Sequence, residues 1–139
     1  MLPETAEEKL ALFRKIDKRA PFTQWLGVEL NHCADGRAEI ALPYRPEFAQ
    51  HNGFLHGALV GFLIDYACAW AGGSMADGPV VTSQFQVNIV APGIGERFLS
   101  IGEVVKAGKR QFVTRAEAFA ENAGKRKLIA IGSATILPL

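Results

Sequence analysis

Residues 51–73, HNGFLHGALVGFLIDYACAWAGG, hold a single carboxylate, Asp65, with no Lys or Arg in the stretch. A carboxylate drawn partly out of water can activate a water as general base or attack an electrophile itself. It can also serve structurally, accepting backbone hydrogen bonds at a packed junction or subunit interface. In either role it needs a partner or a shifted protonation equilibrium, because burying an unpaired charge is costly. Just upstream, His56-Gly57 stands where the apolar run begins. Free N–H groups at a helix start can receive an oxyanion, and glycine lets a ligand come close to the main chain. A donor at the helix start and a carboxylate about two turns on are therefore expected to act on one carbonyl. His56 alone beside a helix start reads first as structural, with a catalytic base as the alternative.

These residues need elements to hold them. The segment from about Gly57 to Gly72 reads as one apolar helix. In it Asp65 shares a face with Ala58, Gly61, Phe62, Cys68, Ala69 and Gly72, mostly small. Leu59, Leu63, Tyr66 and Trp70 mark a bulkier face expected to fill the core. Earlier, Thr5-Ala-Glu-Glu8 looks like a capping box opening an amphipathic helix over roughly residues 5–18, and a short second turn runs from Pro21 through Trp25 to Gly27. Two strand-like runs surround Ala34-Asp35-Gly36, a hairpin signal. After Gly78-Pro79 the pattern turns to period two. Val81, Ser83, Phe85, Val87 and Ile89 fall on one face, and Thr82, Gln84, Gln86 and Asn88 on the other, as in a half-buried strand. Three more strands follow at roughly 97–107, 111–121 and 127–137, so that the last four strands are expected to form a meander. The fold class is α+β: an antiparallel sheet of five or six strands around one long central helix. A single domain over 1–139 is expected, with an N-terminal helix in 1–20 and a core in 22–138.

Composition bounds the partners. A net charge of +1 across 139 residues argues against nucleic acid, which calls for a basic excess. Cys33 and Cys68 lie far apart without a CxxC pattern, so no zinc or redox motif is present, and no metal or cofactor is expected. The N-terminus carries no secretory apolar region, and Asp65 and Gly72-Gly73 break the longest apolar run. A cytoplasmic protein without a membrane partner is expected.

The combination Gln50 … Gly53 … His56-Gly57 … Asp65, followed by VTSQFQVNIVAP and GEVVKAGKRQF, resembles a hotdog-fold acyl-CoA thioesterase of the PaaI-like group, within the 4-hydroxybenzoyl-CoA thioesterase superfamily. The resemblance covers about residues 22–138. It implies a helix wrapped by an antiparallel sheet, chains paired edge to edge as homodimers, often as dimers of dimers, and active sites between subunits. It further implies that Asp65 is general base or nucleophile and that the Gly57 N–H polarises the thioester carbonyl. By the same resemblance Gln50 orients substrate or water, with Asn52 as rival, and Thr82 lies across the site from the partner chain. Lys109 and Arg110 would meet the CoA phosphates. Phe54, Phe62 and Cys68 are candidates to line the acyl tail. The chain departs from the pattern at Ala58, where a second glycine is usual, and at Gln50, where Asn is common.

The expected function is hydrolysis of a medium-chain or aromatic acyl-CoA to free acid and CoA. A hotdog dehydratase would need an HFPG-like loop, which the sequence lacks. A non-catalytic acyl-CoA-binding or sensing module is the alternative, and a purely structural dimerisation domain would have no use for a carboxylate opposite a glycine helix start.

Overall fold

The computed structural model describes residues 2–139. Met1, the first residue of the segment 1–20 expected as the N-terminal helix, lies outside them. Helix α1 spans Ala6–Asp17, and both halves of its capping box form, the Glu8 N–H on Thr5 Oγ1 and the Thr5 N–H on Glu8 Oε2. Helix α2 spans Pro21–Leu26, with proline at its first position and the C-cap Gly27 at φ 73°, a left-handed conformation that glycine adopts without strain. Strands β1 (Glu29–Ala34) and β2 (Arg37–Pro43) form the expected hairpin, with Asp35 and Gly36 both at positive φ, as a two-residue hairpin turn requires. Helix α3 then runs from Gly57 to Gly73. Strands β3 (Val80–Ile89), β4 (Arg97–Ala107), β5 (Phe112–Asn122) and β6 (Lys125–Pro138) complete the chain.

One antiparallel sheet contains all six strands, in the order β1-β2-β4-β5-β6-β3. The four-stranded meander is thus corrected to three strands, β4-β5-β6. β3 does not pair with β4 but crosses to the far edge beside β6. The reason lies in residues 90–96, VAPGIGE, which bridge the sheet end on main-chain hydrogen bonds to Ile129 and Glu121. That leaves β4 free to pair with β2.

The core forms where α3 crosses the sheet. Val60, Leu63, Ile64, Ala67 and Ala71 are buried in one cluster with Ile40, Phe98, Ile129 and Ile136. Burial of each large aliphatic contributes about 2 kcal/mol. The bulky face expected to fill the core is therefore corrected. Of Leu59, Leu63, Tyr66 and Trp70 only Leu63 is fully buried, and the other three pack at its margin. Small residues let the helix lie close on the sheet. A Cβ at Gly102 of β4 would overlap the Ala67 carbonyl and stand 3.0 Å from the Cys68 nitrogen. Backbone faces backbone there, so neither side can yield locally. Gly102→Ala is expected to cost about 3 kcal/mol, a fall of roughly 10 °C in Tm. Gly27→Ala serves as control: nothing lies within 4 Å of its Cβ position, and only the left-handed backbone opposes it, at about 1 kcal/mol. Equal melting temperatures for Gly102→Ala and wild type would refute the close approach.

Among the described residues no helix is long and apolar enough to cross a membrane.

Candidate active site

Asp65 sits midway along α3, partly buried, at the border of two surfaces. On one side α3 lies against the edge strand β3. A Cβ at Gly57 would meet the Ile89 side chain at 3.6 Å, one at Gly61 would meet Phe85 at 3.6 Å, and one at Gly73 would meet Val80 at 3.5 Å. Between these contacts Thr82 Oγ1 donates a hydrogen bond to Asp65 Oδ1 at 2.7 Å. Helix and strand thus match in opposite directions: 57 with 89, 61 with 85, 65 with 82.

This match depends on an irregularity the period-two pattern hides. Thr82 pairs with Ile136 and Gln84 with Thr135, so Ser83 is an extra residue, a β-bulge. A bulge shifts the alternation by one. Before it Val80 and Thr82 face α3; after it Phe85, Val87 and Ile89 do. The assignment of Thr82 to the Gln84/Gln86/Asn88 face, with Val81 alongside Phe85, is corrected accordingly. The strand is also less buried than expected: Phe85 is 46% and Ile89 52% exposed.

Thr82 supplies the partner that a half-buried carboxylate needs. It fixes one oxygen of Asp65 and, with it, the rotamer of the side chain. The hydroxyl meets Asp65 of its own chain. Thr82→Val keeps the shape and removes the donor. It is expected to lower kcat/KM by about tenfold, measured as initial rates of CoA release from the best substrate, with KM changed less than kcat.

At the start of α3, His56 is the N-cap, its Nδ1 accepting from the Ala58 N–H at 3.0 Å. The structure gives His56 this capping role, and no hydrogen bond joins it to Asp65. The cap also shows how Ala58 fits: its N–H is used and its side chain is exposed. Gly57 is the first helical residue, exposed, and its N–H has no partner among the described residues. Asp65 lies eight positions after Gly57, about 12 Å along the helix axis. One carbonyl cannot touch both within hydrogen-bond distance. Within one chain, therefore, the two groups do not meet on a single carbonyl.

The loop before the helix is closed by main-chain bonds from Gln50 N–H to Phe54 O and from Gly53 N–H to Gln50 O. The Gln50 carboxamide oxygen accepts from the Asn52 N–H, and Asn52 lies beside His51. Neither Gln50 nor Asn52 bonds Asp65 in the chain. Phe54 is half-buried in this loop. Phe62 stacks on Tyr66 at 4.9 Å and meets Phe22 edge-on at 5.6 Å. Cys68 is fully buried, and burial pushes its thiol up to about 11, Thr114 pulling the other way and Asp65 adding to the rise. It packs in the core, which corrects its candidacy as pocket lining. Lys109 and Arg110 are exposed on the β4–β5 turn. That turn adjoins the sheet end where Val80 pairs with Pro138, opposite the end holding Ile89 and Gly57. A single chain therefore does not bring the two cations to the helix start.

Three neighbours of the site escaped sequence reasoning. Ile89 and Phe85 cover the glycine stripe, visible only once the bulge is known. Asp17, from α1, is buried beside Tyr66, and nothing in the spacing joins residues so distant in sequence.

Comparison with known proteins gives the family. Residues 52–127 match the thioesterase superfamily, a segment that includes Gly57, Asp65, Thr82 and the β4–β5 turn. The chain is 32% identical to "Putative esterase SSO2140" of Saccharolobus solfataricus, the match covering 91% of this chain and 88% of that protein. A thioesterase family protein from Silicibacter pomeroyi superposes with a TM-score of 0.86 at 36% identity, covering 89% of this chain and 93% of that one. The BH2602 protein from Bacillus halodurans, solved with CoA, superposes with a TM-score of 0.72 at 25% identity, covering 91% and 82%. Fold, family segment and half-buried helical carboxylate agree: the chain belongs to the thioesterase superfamily, a thioester hydrolase of hotdog fold.

Proposed function

We propose that the protein hydrolyses acyl-CoA thioesters with a medium-chain or aromatic acyl group, as a PaaI-like enzyme. Asp65 is general base or nucleophile, and the Gly57 N–H is the oxyanion donor. The observation that carries this reading is the Asp65 carboxylate held by Thr82 beside a small-residue stripe that ends in an N–H without a partner among the described residues. A thioester carbonyl is electrophilic enough for a carboxylate-activated water to attack without a cofactor. The oxyanion that develops is met by the fixed dipole of the Gly57 N–H. The CoA bound to the Bacillus halodurans neighbour supports CoA as the leaving thiol.

Because one chain separates Gly57 from Asp65 by about 12 Å, each site is built from two chains. β3 is an edge strand with an unpaired side, and its exposed Val81, Phe85 and Ile89 suit a second copy. Antiparallel pairing of β3 with the partner's β3, centred near Phe85–Gln86, sets Thr82 beside the partner's Ile89. By the match of helix to strand, Asp65 then comes beside the partner's Gly57. The same reversal carries the partner's Lys109 and Arg110 toward the Gly57 end, where CoA phosphates would be met. Gln50 and Asn52 flank that end and orient substrate or water. A homodimer is thus the smallest active unit, and dimers of dimers are compatible with it.

The test is a thiol-release assay over acyl-CoAs of graded length and with aromatic acyl groups. Release from at least one class, abolished in Asp65→Asn, is expected; folded protein that releases CoA from none, yet binds it, supports the acyl-CoA-binding alternative.

A further inference from the structure

Beside the active site lies a cavity of about 500 Å³, in the range of small-molecule pockets. Its walls are α1, the second half of α3 and residues 76–80, with Phe13, Ile16, Ala69, Trp70 and Val80 giving it an apolar character. It starts close to the reacting groups. Ala69 is one turn beyond Asp65, about 6 Å along the axis, and Val80 shares with Thr82 the face of β3 that looks at α3. Helix α1 is fixed as its wall by Arg14 Nε on the Leu30 carbonyl at 2.8 Å and by Lys9 Nζ on Asp35 at 2.6 Å.

This apolar wall holds one buried carboxylate. Asp17, only 7% exposed, lines the cavity. Its Oδ1 accepts from Thr23 Oγ1 at 3.1 Å and from the Tyr66 hydroxyl. Among the described residues Oδ2 accepts nothing, yet it is not among their buried side-chain atoms left without a partner, so solvent-sized space reaches it. A carboxylate with one oxygen doubly satisfied and the other bare is poised to take one more donor. Two other charged residues on the lining, Arg19 and Asp77, are exposed and belong to the cavity's outer side.

We propose that this cavity receives the distal part of the acyl group, and that Asp17 selects acyl groups carrying a hydroxyl there. The inference rests on the thioesterase reading for its leaving thiol. The acyl chain leaves the carbonyl at Asp65, passes Ala69 and Val80, and ends against Asp17. An unsubstituted chain of equal length fills the same space but leaves Oδ2 stripped of water without a donor, and this is what discriminates. Burial pushes the Asp17 carboxyl above its ordinary range, the Thr23 hydroxyl opposing the rise.

The experiment compares octanoyl-CoA with 8-hydroxyoctanoyl-CoA on wild type, Asp17→Asn and Asp17→Ala. Wild type is expected to prefer the hydroxylated substrate by about tenfold in kcat/KM. Asp17→Ala should abolish the preference. Asp17→Asn keeps the acceptor for Tyr66 and Thr23 and should reduce it to about threefold; it decides the matter if the alanine variant does not fold. A wild-type preference below twofold, or one unchanged in the variants, overturns the proposal. A second readout is independent of hydrolysis: binding of 1,8-octanediol against 1-octanol by calorimetry. If no thioester is turned over, the catalytic reading fails, while a diol preference reduced in Asp17→Asn and lost in Asp17→Ala upholds the hydroxyl-selective cavity, and a preference absent from wild type or unchanged in the variants refutes it.

Discussion

Asp65→Asn is expected to lower kcat/KM on the best acyl-CoA by about a thousandfold, almost entirely in kcat. The substitution is conservative for the fold, since an amide oxygen can still accept the Thr82 hydroxyl that now holds Asp65 Oδ1. What it removes is basicity and nucleophilicity, and both catalytic roles depend on one or the other. KM should move by a few-fold at most, because Asp65 meets the reacting carbonyl and not the CoA moiety. Steady-state thiol release and a thermal melt on the same preparation check this. Activity within fivefold of wild type, with an unchanged melt, would remove Asp65 from the mechanism.

Gly57→Pro is expected to lower kcat by about two to three orders of magnitude, the usual cost of losing one oxyanion donor, with little loss of stability. Gly57 is the first residue of α3 and its N–H bonds nothing among the described residues. Proline is favoured at that position and lacks only the N–H. His56 before it already has φ −59° and ψ 137°, the extended conformation that a following proline demands. The two variants together test how the site is assembled. In a dimer of one Asp65→Asn chain and one Gly57→Pro chain, one site pairs an intact Gly57 with an intact Asp65, and the other carries both lesions. Co-refolded equal amounts, half of them mixed dimers with one good site, should recover up to about a quarter of wild-type activity. Sites contained within single chains would recover none, and that result would refute the assembly argued from helix length.

Much of the fold was legible because local chemistry and global structure agree. Thr5 and Glu8 cap α1 as their spacing predicts, Asp35-Gly36 turns the hairpin, and the apolar run from Gly57 forms one helix. Asp65 stood out in the sequence for the physical reason that matters in the structure, a carboxylate with no charged neighbour on an apolar helix. What could not be read depends on pairing between distant segments. The path of β3 to the far edge beside β6 leaves no trace in period two, which records a strand's faces and not its neighbours. The extra residue Ser83 looks like ordinary alternation until its partners on β6 are known. The helix face beyond Asp65 was misread for a related reason: Tyr66 and Trp70 are bulky enough for the core, but α1 and its cavity claim them instead.

The bulge at Ser83 also constrains how this protein can vary. Upstream of it, β3 presents to α3 the hydroxyl that serves catalysis; downstream, it presents the apolar side chains that close the glycine stripe and suit a second chain. One strand thus carries two messages written out of phase, and Ser83 is the frame shift between them. Loss or gain of a single residue there would leave one message readable and scramble the other. The segment from Thr82 to Phe85 is therefore bound to a fixed length more strictly than to a fixed sequence, and chemistry and self-association are tied to each other through that count.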